Sequence, residues 1–224
     1  MDIRFLGHAA FALSDDAATV LIDPFLTGNP KAAASADEVD ATTILLTHGH
    51  ADHIGDSVAI AKRTGATVVA VPELANEIGA EGVDVLDPNL GGQVTLPWGT
   101  ARYVPAWHTA VSPSGTPHTP AGIVVELGDK RIYHVGDTAL FSDLKLVKRY
   151  GRIDVALIPI GGHYTMDRFD AVTAAEWIGA DTYIPIHYDT FPPIETDAAA
   201  FKSDVQNAGY GEVVILQPGE SHTP

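Results

Sequence analysis

The chain contains no cysteine. That removes disulfides, thiolate nucleophiles and thiolate-held metal, so any bound cation must be held by nitrogen and oxygen donors. Positive charge is also scarce: 13 Lys+Arg stand against 29 Asp+Glu, for a formal net charge of −16. The basic residues are scattered or occur in pairs such as Lys130-Arg131 and Lys148-Arg149. Nucleic acid and anionic lipid are therefore poor partners, because both require a concentrated basic footprint. No apolar run approaches the roughly 18 residues that span a bilayer, and Met1-Asp2-Ile3-Arg4 has neither the basic start nor the apolar core of a secretion signal. A cytoplasmic location is expected. Gly7, Gly65, Gly91-Gly92 and Gly161-Gly162 fall in no dinucleotide-binding or phosphate-loop spacing.

Core-forming residues are plentiful. Apolar residues make up 46% of 224 positions, enough to bury a large interior, and no linker-like break divides the chain, so a single domain over residues 1–224 is expected. No short-period repeat occurs, and the pattern is compatible with a homo-oligomer. Strand patterns lie at 3–13 and 19–22 as a hairpin, then at 42–47, 67–71, 92–104 in two parts, 123–127 with 131–135, 154–160, 182–186 and 212–216. Helical spacing predicts helices over 54–63, 73–78, 139–150, 169–178 and 198–207, the last capped by Asp197, with weak helical character in the Ala-rich stretch 30–40. Strands alternate with helices but hairpins interrupt them. A mixed-sheet α/β sandwich is expected rather than a doubly wound parallel sheet.

The densest chemistry follows the buried run Ile44-Leu45-Leu46. His48, His50, Asp52 and His53 place four metal-ligand candidates within six residues, on a loop that a rigid strand can aim into one pocket. Four donors so close in sequence cannot all meet one tetrahedral ion without strain, so further ligands should stand at other strand ends. His108, Asp137 and His187 each follow an apolar run directly. Asp23-Pro24 closes another strand, which makes Asp23 either a turn-former or a partner that orients a ligand histidine. His8, after Gly7, is either a packed histidine or a group that reaches the pocket for substrate binding or proton transfer. His118 reads as a solvated loop residue, His134 as structural and His222 as part of a frayed tail. His163 and Tyr164 sit on a loop able to line a cleft.

The ordered set His48, His50, Asp52, His53, then His108, then Asp137 in Gly-Asp-Thr, then His187 resembles the metallo-β-lactamase superfamily over nearly the whole chain. Leu6-Gly7-His8, Tyr133-His134-Val135-Gly136-Asp137-Thr138 and Pro185-Ile186-His187-Tyr188-Asp189-Thr190 resemble one branch of it, the uncharacterised metal-dependent hydrolases close to the ascorbate-phosphate lactonases. The resemblance implies an αβ/βα sandwich of two mixed β-sheets flanked by helices, with the site at one edge. It also implies two divalent ions, with zinc the default and manganese the alternative. His48, His50 and His108 would hold one, Asp52, His53 and His187 the other, with Asp137 bridging and Asp23 supporting a ligand. The implied reaction is attack by a hydroxide shared between the ions on a small anionic ester, lactone or phosphodiester, with Asp52, Asp137 and His8 as the catalytic group. Two other readings compete: a metal-binding sensor or scaffold without turnover, and a redox di-iron enzyme of the same fold. His50 argues against the second, since related flavodiiron proteins carry glutamate there.

Overall fold

The computed structural model describes residues 1–224. Asp2–Gly7 (β1), Ala10–Ser14 (β2) and Thr19–Ile22 (β3) form an antiparallel meander, and Thr43–Leu45 (β4), Thr67–Val69 (β5) and Val85–Leu86 (β6) extend it in parallel. Parallel neighbours need crossovers: the helix-free stretch 23–42 joins β3 to β4, and Ala51–Ile54 (α1), Ser57–Thr64 (α2) and Pro72–Ala80 (α3) supply the next two. The second sheet repeats this plan. Gln93–Leu96 (β7) and Gly99–Pro105 (β8) are followed by a small ribbon, Ala110–Val111 (β9) with Pro117–His118 (β10). Ala121–Leu127 (β11) and Lys130–His134 (β12) complete the antiparallel half, and Val155–Pro159 (β13), Thr182–Ile186 (β14) and Glu212–Val213 (β15) add in parallel. Arg168–Ile178 (α4) and Ala198–Asn207 (α5) are its crossovers, and Ser221–His222 (β16) returns to pair with β1. No helix is long and apolar enough to cross a membrane.

Side chains alternate between two buried layers. From β11 and β13, Ile123, Val125, Leu127, Val155 and Leu157 join the larger core between the sheets, while Val124, Ala156 and Ile158 enter a second core beneath α4 and α5. Every residue of β13 is buried, as a central parallel strand covered on both faces requires. Asp197 caps α5 by accepting the Ala200 N–H at 2.9 Å.

The architecture is the αβ/βα sandwich, and several local expectations need correction. The stretch 3–13 is two strands, because the Gly7-His8 break is a full reversal. Residues 30–40 form turns, not a helix: the Asn29 side chain accepts the Lys31 N–H at 2.8 Å and the Ala33 N–H is drawn to the Leu6 carbonyl at 3.0 Å, so the helical ladder never starts. The expected helix over 139–150 is a 3-10 segment over Ser142–Tyr150, and the last predicted strand pairs only at Glu212–Val213. His222 lies in β16, not in a frayed tail.

Candidate metal centre

Each candidate donor stands just beyond the C-terminal end of a strand: His8 after β1, Asp23 after β3, His48 to His53 after β4, His108 after β8, Asp137 after β12 and His187 after β14. Three of them hold left-handed backbones, His8 at φ +59°, Asp23 at +46° and His187 at +55°. Non-glycine residues adopt this conformation at a cost and keep it only when the surroundings dictate it. Here they do, since the His187 N–H donates to the His8 carbonyl at 2.9 Å and locks the two turns together. Gly49 is required between two ligand candidates: a Cβ there would come within 2.9 Å of His118 and Leu74.

The hydrogen bonds assign each ring's free nitrogen. Asp23 is fully buried and accepts the Thr47 N–H at 2.8 Å, the Thr47 hydroxyl at 2.5 Å and His53 Nδ1–H at 2.7 Å. A carboxylate only accepts, so the His53 proton sits on Nδ1 and its Nε2 points the other way. The Thr47 hydroxyl, having donated to Asp23, accepts from His48 Nδ1 at 3.0 Å. That leaves His48 Nε2 for a metal. His8 Nε2–H donates to Asp52 at 3.2 Å, and its Nδ1 accepts from the Thr190 hydroxyl at 2.9 Å.

The free atoms converge. Donors of His48, His50 and His108 lie within 4.8 Å of one another, as do those of His8, Asp52, His53 and His187, and a third group of His48, His53 and Asp137 joins the two. Asp137 lies 3.3 Å from His53 Nε2, 3.1 Å from His187 Nε2 and 3.7 Å from His108 Nε2. It therefore touches donors of both outer groups. Yet His53 Nε2, Asp137 Oδ1 and both ring nitrogens of His187 are buried without a hydrogen-bond partner. Unpartnered buried polar atoms are costly, and four at one point fit a site built for cations. Imidazole nitrogens and carboxylate oxygens without sulfur suit zinc and manganese alike.

Electrostatics agree. Burial works against a charge on His53, but Asp137 and Asp23 on either side raise its pKa well above the usual imidazole range. The fold thus attracts a positive charge to the point between those carboxylates. Burial would raise Asp137 too, yet His187 and His53 hold it well below the ordinary carboxylate range. Asp52 is held low, against its own desolvation, by the bond from His8 and the charge of His53. Burial lowers His48, His50 and His108 and brings His8 down to about 4, which keeps these rings neutral as ligands and donors must be.

Above the donors opens a cleft of about 550 Å³. Its floor is His50, Asp52, His108, Asp137 and His187, and its walls are Phe25, Ala51, Thr109, Tyr164, Phe191 and Pro193. No lysine or arginine lines it. All seven metal-ligand candidates from the sequence meet here, with His8 beside Asp52. Tyr164 lines the cleft, whereas His163 does not and packs edge-on against the Tyr164 ring. His134 is structural, donating through Nε2 to the Ala9 carbonyl and accepting the Gly136 N–H. His118 is no solvated loop residue: its Nε2 accepts the Gly49 N–H at 2.9 Å and clamps the ligand loop. Sequence pattern alone points to Tyr164 but not to Thr47, Thr190 or the Phe25 and Phe191 walls. Thr47 adjoins the cluster and Thr190 lies three residues after His187, the only sequence hints of their roles.

The beta-lactamase superfamily domain model matches residues 2–187. A UPF0173 metal-dependent hydrolase of Thermus thermophilus is 48% identical over 221 residues, covering 98% of this chain and 97% of its own. One from Symbiobacterium thermophilum is 47% identical over 226 residues, covering both chains fully at 100%. Among solved structures, Igni18, a metallo hydrolase from Ignicoccus hospitalis, superposes with a TM-score of 0.91 at 33% identity, over 99% of this chain and 97% of that one. With the family model spanning most of the chain and full-length relatives near half identity, this chain belongs to the beta-lactamase superfamily, in the same UPF0173 family as those relatives.

Proposed function

We propose that the protein is a hydrolase dependent on two divalent metal ions, acting on a small ester, lactone or phosphodiester. The observation that carries this reading is the convergence of His and Asp donors into two groups joined by a third that contains Asp137, with His53 Nε2, Asp137 Oδ1 and the His187 ring buried and unpartnered where they meet. Relatives 47–48% identical over the whole chain are named metal-dependent hydrolases, which supports it. When bound, the ions supply an ionised water as nucleophile and the charge that polarises the scissile carbonyl or phosphoryl oxygen. Zinc fits the donor set best, with manganese the alternative.

The chain's own residues have separable tasks. His48, His50 and His108 would hold one ion and Asp52, His53 and His187 the other, with Asp137 available to either. Asp23 keeps the His53 proton on Nδ1. His8 keeps its proton on Nε2, donated to Asp52, and so acts on the reaction through Asp52's orientation. Phe25, Phe191 and Tyr164 restrict water at the cleft walls.

Zinc- or manganese-loaded protein, its metal content measured by mass spectrometry, is assayed on bis-p-nitrophenyl phosphate and a chromogenic lactone. Metal-dependent turnover lost in Asp137→Ala supports the proposal. Two bound ions without turnover on a broad panel of esters, lactones and phosphodiesters would instead indicate a metal-binding sensor or scaffold.

A further inference from the structure

The cleft itself discriminates among the substrates just named. Two divalent ions would bring four positive charges, and Asp52, Asp137 and one ionised water would cancel three of them, so the floor favours one negative or polarised oxygen. Outside the donors the lining, Phe25, Ala51, Thr109, Tyr164, Phe191 and Pro193, holds no cation for a second anion and only the hydroxyls of Thr109 and Tyr164 as donors. Nearby cations are engaged elsewhere. Arg168, close in sequence to the Tyr164 loop, is paired with Asp204 at 2.5 Å and stacked 3.9 Å from the Phe169 ring. Lys31 lines a separate small cavity on another side of His8.

The rim is apolar as well. Tyr164 is 55% exposed and Trp107, beside ligand candidate His108, is 71% exposed. Thr138 holds both segments to the same edge, its hydroxyl accepting the Trp107 N–H and its carbonyl the Met166 N–H, each at 2.9 Å. Tyr164, half in water on the wall of the cleft, with the exposed Trp107 tied through its backbone to the same Thr138, marks this edge as a binding surface.

We propose that the walls formed by Phe25, Phe191, Pro193 and Tyr164 are a subsite for an alkyl or aryl group. The substrate class is then an ester or lactone whose non-reacting part is apolar and carries no phosphate or second carboxylate. This rests on the hydrolase reading only in the word ester, for the subsite binds products too. A phosphomonoester tail would bury two charges against hydrocarbon without a partner, which desolvation forbids.

The test uses binding. Metal-loaded protein is titrated calorimetrically with propanoate, butanoate, pentanoate and hexanoate, and with adipate, which has hexanoate's length and a second carboxylate. The Kd falls by about two- to fourfold per methylene, the worth of burying each one, and adipate binds more weakly than hexanoate. Tyr164→Ala lowers the propanoate-to-hexanoate ratio by roughly threefold, and Tyr164→Lys, which places a cation at the mouth, narrows the gap between adipate and hexanoate. A Kd independent of chain length, or adipate as tight as hexanoate in the unaltered protein, overturns the subsite. The slope without turnover of any ester would sink only the hydrolase reading. Turnover with a flat series would sink only the subsite.

Discussion

Replacing Asp23 with asparagine isolates one physical cause, the position of a proton on His53. The carboxylate accepts from Thr47 N–H at 2.8 Å, Thr47 O–H at 2.5 Å and His53 Nδ1–H at 2.7 Å. An asparagine of the same shape can keep the first bond, but its NH2 then replaces the oxygen that faced both Thr47 and His53. A donor now meets a donor. His53 relieves this by giving up its Nδ1 proton and keeping one on Nε2, the atom aimed at Asp137 and the metal site, so the ring no longer offers that nitrogen to an ion without changing tautomer. Removing the hydrogen-bond partner of a metal-bound histidine typically costs 10- to 100-fold in metal affinity. With the ligand atom itself protonated, the top of that range is expected, about 100-fold or ~2.7 kcal/mol. Competition against a chromogenic chelator measures it, with ion stoichiometry from mass spectrometry and circular dichroism to confirm that the variant folds. Asp23→Asn protein that binds two ions at the unaltered affinity would show that Asp23 only shapes the turn before Pro24.

Thr190→Val leaves His8 Nδ1 without its donor, so His8 no longer holds Asp52. On the proposed two-ion reading, affinity at the ion assigned to Asp52, His53 and His187 should fall roughly tenfold, while the one assigned to His48, His50 and His108 should be unaffected, a split that two-site titration resolves. Gly49→Ala drives a methyl group against His118 and Leu74, both 2.9 Å from the ideal Cβ position. Overpacking of this kind costs about 1–3 kcal/mol, read as a lower Tm, and unchanged stability would show that the loop relaxes freely. Metal-free protein should be most stable near pH 6.5, the unfolded value of histidine. His8, lowered to about 4, and His48 and His134, also lowered by burial, are neutral in the fold, so below pH 6.5 the unfolded chain binds protons that the folded one does not. Each then costs up to ~1.4 kcal/mol per pH unit as pH falls. His53 is raised, so the stability it contributes is complete below pH 6.5 and is lost as pH rises through its folded value. Thermal melts from pH 5 to 9 check both limbs, and the upper limb disappears when zinc replaces the His53 proton.

The sandwich, and the convergence of the candidate donors at one sheet edge, are legible in short-range pattern. β4, β13 and β14 announce themselves as buried apolar runs, and the donors lie within a few residues of a strand end, His187 directly after β14 and His48, His108 and Asp137 three residues past β4, β8 and β12. What could not be read depends on contacts between distant segments. Residues 30–40 look helical until Ala33 is seen bonded to Leu6, and His118 looks solvated until Gly49 is found donating to it across 69 residues. Phe25 and Phe191 are unremarkable aromatics until two loops set them on either side of His8, with ring centroids 5.9 and 5.7 Å from it. Thr190 is a turn residue until its hydroxyl is found on His8.

The two halves of the chain share one strand plan, and the site uses them unequally. In each sheet four antiparallel strands pass into three parallel ones, β16-β1-β2-β3 into β4-β5-β6, with β16 returning from the C-terminus, and β7-β8-β11-β12 into β13-β14-β15. Asp23 and Asp137 follow the equivalent strands β3 and β12, yet Asp23 is turned inward to fix His53 and Thr47 while Asp137 faces the donors of both groups. The first half spends four donor residues on the single loop after β4, and the second half supplies His108, Asp137 and His187 singly from three strand ends. Neither half holds enough donors in the right directions to bind two ions alone. The inter-sheet core must therefore form before the site exists, and the left-handed turns at His8, Asp23 and His187 are held in place by that core. A chain folded this way should keep its ligand geometry without metal, so that binding an ion completes the site's charge balance rather than the fold.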